Sequence, residues 1–321
     1  MVLRPGGESI TASSFEESPR VTLVEAIVQG IVQGLTEFLP ISSTAHLRIV
    51  PELLGWEDPG AAFSAVIQLG TLLAVLIYFR RDLFDVGRAW ISETLRGRIA
   101  ASHEGKLGWM MIVGTAPIVV GGLLLKSAIE SGFRRLSVIG VASIVFALLM
   151  MAAEAYLARR TRRGLAGRSL ESSGWGDAVS VGLAQALALI PGASRSGVTI
   201  TASLFRGLER SAAARFSFLL SIPAVFAAGV FQLYKEREDL LKSSNEITAL
   251  VVATLVSAVV GYAAIALLIR YLRSHTTYVF VAYRLALGAL LLALVSQGKL
   301  SDLPPTPTKA PGASANAESS R

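Results

Sequence analysis

Cysteine is missing from all 321 residues, which excludes a disulfide framework and any thiolate-held metal. Histidine is scarce: His46, His103 and His275 are too few and too scattered for a zinc cluster. Charge is thin as well. Acidic and basic residues make up 17% of the chain, below the roughly one quarter usual in a soluble domain, while 52% is hydrophobic and the mean hydropathy is +0.56. That balance excludes a soluble globular enzyme and is that of a polytopic membrane protein. The net charge of +7 does not point to nucleic acid, because the basic residues crowd into loops between apolar runs, the pattern of membrane topology.

Runs long enough to cross the roughly 30 Å hydrocarbon core lie near Ala61–Phe79, Gly108–Leu125, Leu136–Ala158, Ala212–Tyr234, Ile247–Ile269 and Thr277–Ser296. Two further apolar stretches, Val21–Leu35 and Ala178–Ile190, are too short to span and end at polar loops. Interfacial or tilted helices would explain their length. Re-entrant helices that break and turn back explain the polar loops too, since non-helical backbone at membrane depth is tolerated where it lines a cavity. The fold expected is therefore all-α, with about six transmembrane helices and two re-entrant helix-loop-helix segments.

An internal repeat supports that reading. Gly30-Ile31-Val32-Gln33 resembles Gly182-Leu183-Ala184-Gln185, Pro40 is echoed by Pro191, and Phe63-Ser64 by Phe216-Ser217, all about 152 residues on. Each half, about 21–158 and 178–296, then holds one re-entrant segment and three spans, and the odd number inverts the second half. Residues 1–20 read as a polar extension without the order of a cleaved signal peptide, 21–298 as a single integral-membrane domain, and 299–321 as a disordered tail. Arg80, Arg81, Arg88, Arg96, Arg98 and Lys106 fill one loop, Arg159, Arg160, Arg162, Arg163 and Arg168 a second, and Arg270 and Arg273 a third on the same side. The opposite loops carry fewer: Lys126, Arg134 and Arg135, then Lys235, Arg237 and Lys242. The positive-inside rule makes the richer side cytoplasmic and puts both termini outside.

The chemistry concentrates in the two polar loops, Glu37–His46 and Pro191–Thr199. Gln33 and Glu37, four apart, share a helix face on which an acid beside an amide oxygen holds a hard cation or positions a proton donor. Gly30 and Gly34 on the same helix permit close helix approach. After Pro40 a helix restarts with Ser42 or Ser43 at its N-terminus, where free N–H groups and the dipole favour an anion. Ser43 and His46 are three apart, which places a hydroxyl near an imidazole able to take its proton; plain serine capping with an interfacial histidine is the blander account. Arg195 lies between Ser194 and Ser196 among apolar helices, where a guanidinium costs at least about 2.5–3.5 kcal/mol and a bidentate phosphate contact would offset the cost. The other intramembrane charges are the few just named, too few for the charged rings of an ion channel.

These two loops resemble the signatures of the bacterial undecaprenyl-diphosphate phosphatases associated with bacitracin resistance. The first signature is met by Gln33, Glu37, Phe38 to Ser43 and His46, the second by Pro191 to Thr199, and the similarity extends to Ile67–Gly70 and Phe216–Pro223. Ala45 stands where glycine is common, and Gln33 where several members have glutamate. The resemblance implies hydrolysis of undecaprenyl diphosphate to the monophosphate carrier and inorganic phosphate. It implies a divalent cation, Mg²⁺ or Ca²⁺, and a place in the bacterial plasma membrane with the site facing the outer side. Under it Ser43 is nucleophile and His46 its base, or His46 activates water directly. Arg195 with Ser42, Gly192, Ser194, Ser196 and Thr199 holds the phosphates, and Glu37, with Gln33 and a cation, shields their charge. A carrier-lipid transporter without hydrolysis is the competing reading, and a homodimer is left open.

Overall fold

The computed structural model describes residues 21–124 and 135–302. The N-terminal extension 1–20, the stretch holding Lys126 and Arg134, and the tail from 303 onward lie outside the described residues. Helix α1 (Leu23–Phe38) opens with a reciprocal cap, Thr22 N–H on the Glu25 carboxylate at 2.7 Å and Glu25 N–H on the Thr22 hydroxyl at 3.3 Å. It stops where Leu39 is extended, the conformation that a following proline enforces. Helix α2 (Ser43–Leu54) restarts after Ser42, and α3 (Gly60–Tyr78), α4 (Arg80–Leu95), α5 (His103–Leu124) and α6 (Leu136–Arg162) complete the first half.

The same order recurs. Helix α7 (Trp175–Ala186) runs into a 3₁₀ turn, breaks at Ile190-Pro191, and gives way to α8 (Arg195–Phe205). Then follow α9 (Arg210–Lys235), the single turn α10 (Arg237–Leu240), α11 (Ser244–Leu272) and α12 (Tyr278–Ser296). Among the described residues there is no strand, and six helices, α3, α5, α6, α9, α11 and α12, are long and apolar enough to cross a membrane. These are the six expected runs. Several extend beyond the apolar core at basic ends, because arginines such as Arg159 and Arg162 in the last turn of α6 favour the negative end of a helix dipole.

The halves exchange partners. Helix α1 packs on α11 of the second half, and α7 packs on α5 of the first. Glycines permit both approaches: a Cβ on Gly30 would stand 2.6 Å from the Ala253 carbonyl, and one on Gly182 2.6 Å from the Gly114 carbonyl. Helix α1 turns its polar groups inward and apolar ones outward. Ala26, Gln29, Gln33 and Glu37 point inward, while Leu23, Val24, Ile31 and Leu35 are exposed, as suits a helix with lipid on its outer face.

Two expectations need correction. The first arginine-rich loop is in large part helix α4, whose Leu83, Val86 and Trp90 follow helical spacing and settle against the start of α5, Trp90 meeting Trp109 edge to face at 5.7 Å. Its charged residues masked that pattern. The tail is not loose from its beginning either, since the Asp302 carboxylate accepts from the Ser137 N–H at 2.7 Å and its hydroxyl at 2.9 Å, closing the start of α6.

Candidate functional site

Both breaks end in a serine with left-handed backbone, Ser42 at φ 77° and Ser194 at φ 69°. Side chains other than glycine pay for that conformation, so it marks a constraint. Each serine stands directly before a helix start, and free N–H groups of α2 and α8 are thereby presented where the breaks meet. Ser194 accepts from the Gly197 N–H at 3.1 Å, whereas Ser42 makes no such cap. Gly192 sits at φ 91°, and a Cβ there would lie 2.5 Å from the Ile139 carbonyl, so close backbone approach explains it.

The breaks enclose a cavity of about 140 Å³. Glu37, Ser42, Ser43, Thr44, Ser194 and Arg195 form its polar wall, and Ile118 of α5 with Ala224, Val225 and Ala228 of α9 form the apolar one. Glu37 is the hub. One carboxylate oxygen accepts from Arg195 Nη2 at 2.6 Å, and the other from Ser43 Oγ at 2.7 Å and Gln33 Nε2 at 2.9 Å. Residues 158 apart in sequence thus meet as an ion pair with a hydroxyl on the acid's far side. Both partners are largely buried, so the pairing is little screened by solvent.

The other expected residues divide. Ser43 and His46 do not bond to each other: the Ser43 hydroxyl is taken by Glu37, and His46 turns away from the cavity. Its Nδ1 lies 2.7 Å from the Ser42 carbonyl and therefore carries the hydrogen, leaving Nε2 to accept from the Tyr283 hydroxyl at 2.6 Å. Ser43 and His46 share a turn of α2, but Ser43 is its first residue and its hydroxyl reaches back to Glu37 of α1. Thr199 is consumed by its own helix and by Ser217 Oγ at 2.6 Å, and it does not line the cavity. Ser196 Oγ donates to the Leu39 carbonyl at 3.1 Å, stitching one break to the other. Ser42, Ser194 and Arg195 do face the cavity.

Sequence reasoning missed Tyr283 and Arg284, and also Thr44 and Gln68 of α3, which line the cavity. Arg284 has no exposure and donates to the carbonyls of Pro40, Gly192 and Ala193. The intramembrane charges therefore exceed those expected: Arg284 lies within the span of α12, and Glu154 within α6, fully buried and bonded to Arg210 and Thr277. A lone arginine inside an apolar run was the signal that would have found Arg284.

At the opposite edge Asp177 opens α7. Burial pushes its pKa up, but bonds from Arg168 at 2.8 Å, from Arg206 at 2.8 Å and from the Gly174 N–H at 2.9 Å outweigh burial and hold it below the usual carboxylate range. The same contact raises the pKa of Arg168.

Comparison with known proteins bears on this geometry. Residues 26–290 match the family described as bacitracin resistance protein BacA. A protein of Chlorobium phaeobacteroides named undecaprenyl-diphosphatase is 55% identical over 280 residues, covering 87% of this chain and 99% of its own. One of Chloroherpeton thalassium with the same name is 56% identical over 278 residues, covering 87% and 98%.

Proposed function

The chain belongs to the bacitracin resistance protein BacA family, and from that premise we propose that its cavity is where undecaprenyl diphosphate is hydrolysed. The protein is an undecaprenyl-diphosphatase: it cleaves the phosphoanhydride to give undecaprenyl phosphate and inorganic phosphate, which returns the lipid carrier to cell-wall synthesis. The observation that carries the siting is the Glu37–Arg195 pair with Ser43 on the far oxygen of the same carboxylate. Carriage of the lipid without cleavage requires no hydroxyl held against an acid.

In this reading the polyprenyl tail stays among apolar groups such as Ile118, Ala224 and Val225, and the diphosphate meets the helix starts. Arg195 turns from Glu37 to the phosphate oxygens and stabilises the charge that develops on them. Glu37, released from the Arg195 bond, then accepts the Ser43 proton on the oxygen that already faces that hydroxyl. The hydroxyl oxygen attacks the terminal phosphorus, the bond to the bridging oxygen breaks, and undecaprenyl phosphate departs. Water then releases phosphate from Ser43. The bond from Ser43 to Glu37 favours this route over direct attack by water, and it moves the proton-accepting role from His46 to Glu37. His46 instead fixes the Ser42 carbonyl through one nitrogen and Tyr283 through the other.

A divalent cation, Mg²⁺ or Ca²⁺, belongs to the proposal. Among the described residues no three His, Asp or Glu side chains cluster as a metal cage. Gln33 Oε1, however, is buried without a partner beside Glu37. That donor set fits a hard ion held by Glu37, Gln33 and substrate phosphate oxygens, as Mg²⁺ commonly is. When bound, the ion supplies neutralisation of phosphate charge. The site faces the outer side of the plasma membrane, with the two broken segments re-entering from opposite faces and the arginine-rich helix ends in the cytoplasm. All the groups named above come from one chain.

Purified protein in detergent is expected to release phosphate from a polyprenyl diphosphate, and chelator to lower that release at least about tenfold, with recovery on adding Mg²⁺ or Ca²⁺. Binding without release would overturn the assignment, and full activity in chelator would remove the cation from it.

A further inference from the structure

Arg284 has no carboxylate within ion-pair distance among the described residues, yet it is the largest fully buried side chain among them. Its charge rests on three backbone carbonyls. Nη2 donates to Gly192 O at 2.8 Å and to Ala193 O at 2.9 Å, and Nη1 to Pro40 O at 3.3 Å, while Nε is buried without a partner. Pro40 belongs to the first break, Gly192 and Ala193 to the second, and each carbonyl lies one or two residues ahead of a left-handed serine. The direction of those carbonyls sets how the following N–H groups face the cavity.

Two other direct bonds join the breaks: Ser196 to Leu39 O and Arg195 to Glu37. The second of these must open when Arg195 turns to a diphosphate. We propose that Arg284 is a positioning residue for the hydrolysis, a cross-tie from α12 that keeps the helix starts at Ser42 and Ser194 in register while Arg195 leaves Glu37. It touches no substrate and acts through the backbone of both breaks. The proposal rests on the reading of the cavity as the diphosphate site.

Two variants test it. Arg284→Lys keeps the charge but loses the fork that spans both breaks. Gly197→Ala keeps Arg284 and displaces it: a Cβ at residue 197 would stand 2.6 Å from Arg284 Nη1, the far end of a flexible side chain, and would also press on Ser194 Cβ at 3.0 Å, while alanine favours the helix of α8. Each variant is titrated with a non-hydrolysable polyprenyl diphosphonate to count competent sites, and turnover is expressed per site. Both are expected to bind at full stoichiometry with KM within about threefold of the parent, and to turn over roughly thirty- to a hundredfold more slowly, the range for misplaced catalytic groups. A purely structural role would lower the count of sites and leave turnover per site unchanged, and that result overturns the proposal. Loss of diphosphonate binding at an unchanged melting temperature overturns it too, because Arg284 would then be a ligand group. If Arg284→Lys does not fold, Arg284→Gln takes its place, and parental turnover in Gly197→Ala still overturns the tie. Arg195→Ala in the same series reports on the underlying reading: parental activity there dismisses the cavity as the site, whereas parental turnover in Gly197→Ala alone dismisses only the tie.

Discussion

The two broken helices use one backbone device and opposite side chains. In each, a proline enforces an extended residue, a serine at positive φ turns the chain, and a new helix starts at the cavity. The first then contributes an acid and a hydroxyl, the second a guanidinium, and the two halves meet as Glu37 and Arg195. Backbone geometry builds two similar helix starts at the cavity, and side chains divide the labour between them. A site assembled this way needs both halves at once, since an acid alone repels phosphate and an arginine alone moves no proton.

That division is broken most directly by Arg195→Ala, which is expected to lower phosphate release at least about a hundredfold by removing charge stabilisation. Ser43→Ala is expected to match it if the covalent route holds, and to abolish a phosphate label on the protein in rapid-quench experiments. Substantial turnover in Ser43→Ala would leave both charges in place and hand the attack to water.

A smaller effect contrasts the outer ends of the same two segments. Helix α1 begins with an exposed reciprocal cap, α7 with the buried Asp177 between two arginines. Asp177→Asn is expected to destabilise the protein on the order of 1–3 kcal/mol at neutral pH. Because the folded pKa of Asp177 is depressed, its contribution is present above the unfolded value of about 4 and is lost as pH falls through the lower folded value. Melting curves of parent and variant should therefore converge below about pH 4. A constant gap down to pH 2 would mean that packing, not charge, holds that end.

The smallest effect separates the two serines. Glycine relieves the strain of positive φ at either, but only Ser194 loses a cap by the change. Ser42→Gly is expected to raise stability by about 0.5–1 kcal/mol, and Ser194→Gly to leave it within a few tenths. Equal shifts in thermal unfolding would show that the two turns are not held differently.

Much of this was legible in the sequence. Six apolar runs became six helices of spanning length, and the two proline-serine loops became the two breaks. Glu37, Ser43 and Arg195, which the structure brings together at the cavity, were legible as candidates because buried polar groups stand out in so apolar a chain. Their pairing was not: the spacing of Ser43 and His46 favoured a local partner, and nothing along the chain indicates that Glu37 would reach Ser43 across a break. Arg284 and Tyr283 lie far from either motif, within an apolar helix whose length drew attention from its contents. Helix α4 was obscured in the reverse way, its apolar residues being diluted by arginines and acids.

The exchange of partners between halves bears on how the protein is made. With α1 resting on α11, and both breaks bonded to Arg284 of α12, the first segment leaves the ribosome long before anything exists to hold it. The nascent chain must therefore carry an acid and an unsatisfied turn through the insertion machinery, and the bonds that tie both breaks to α12 form only as the last helix enters the bilayer.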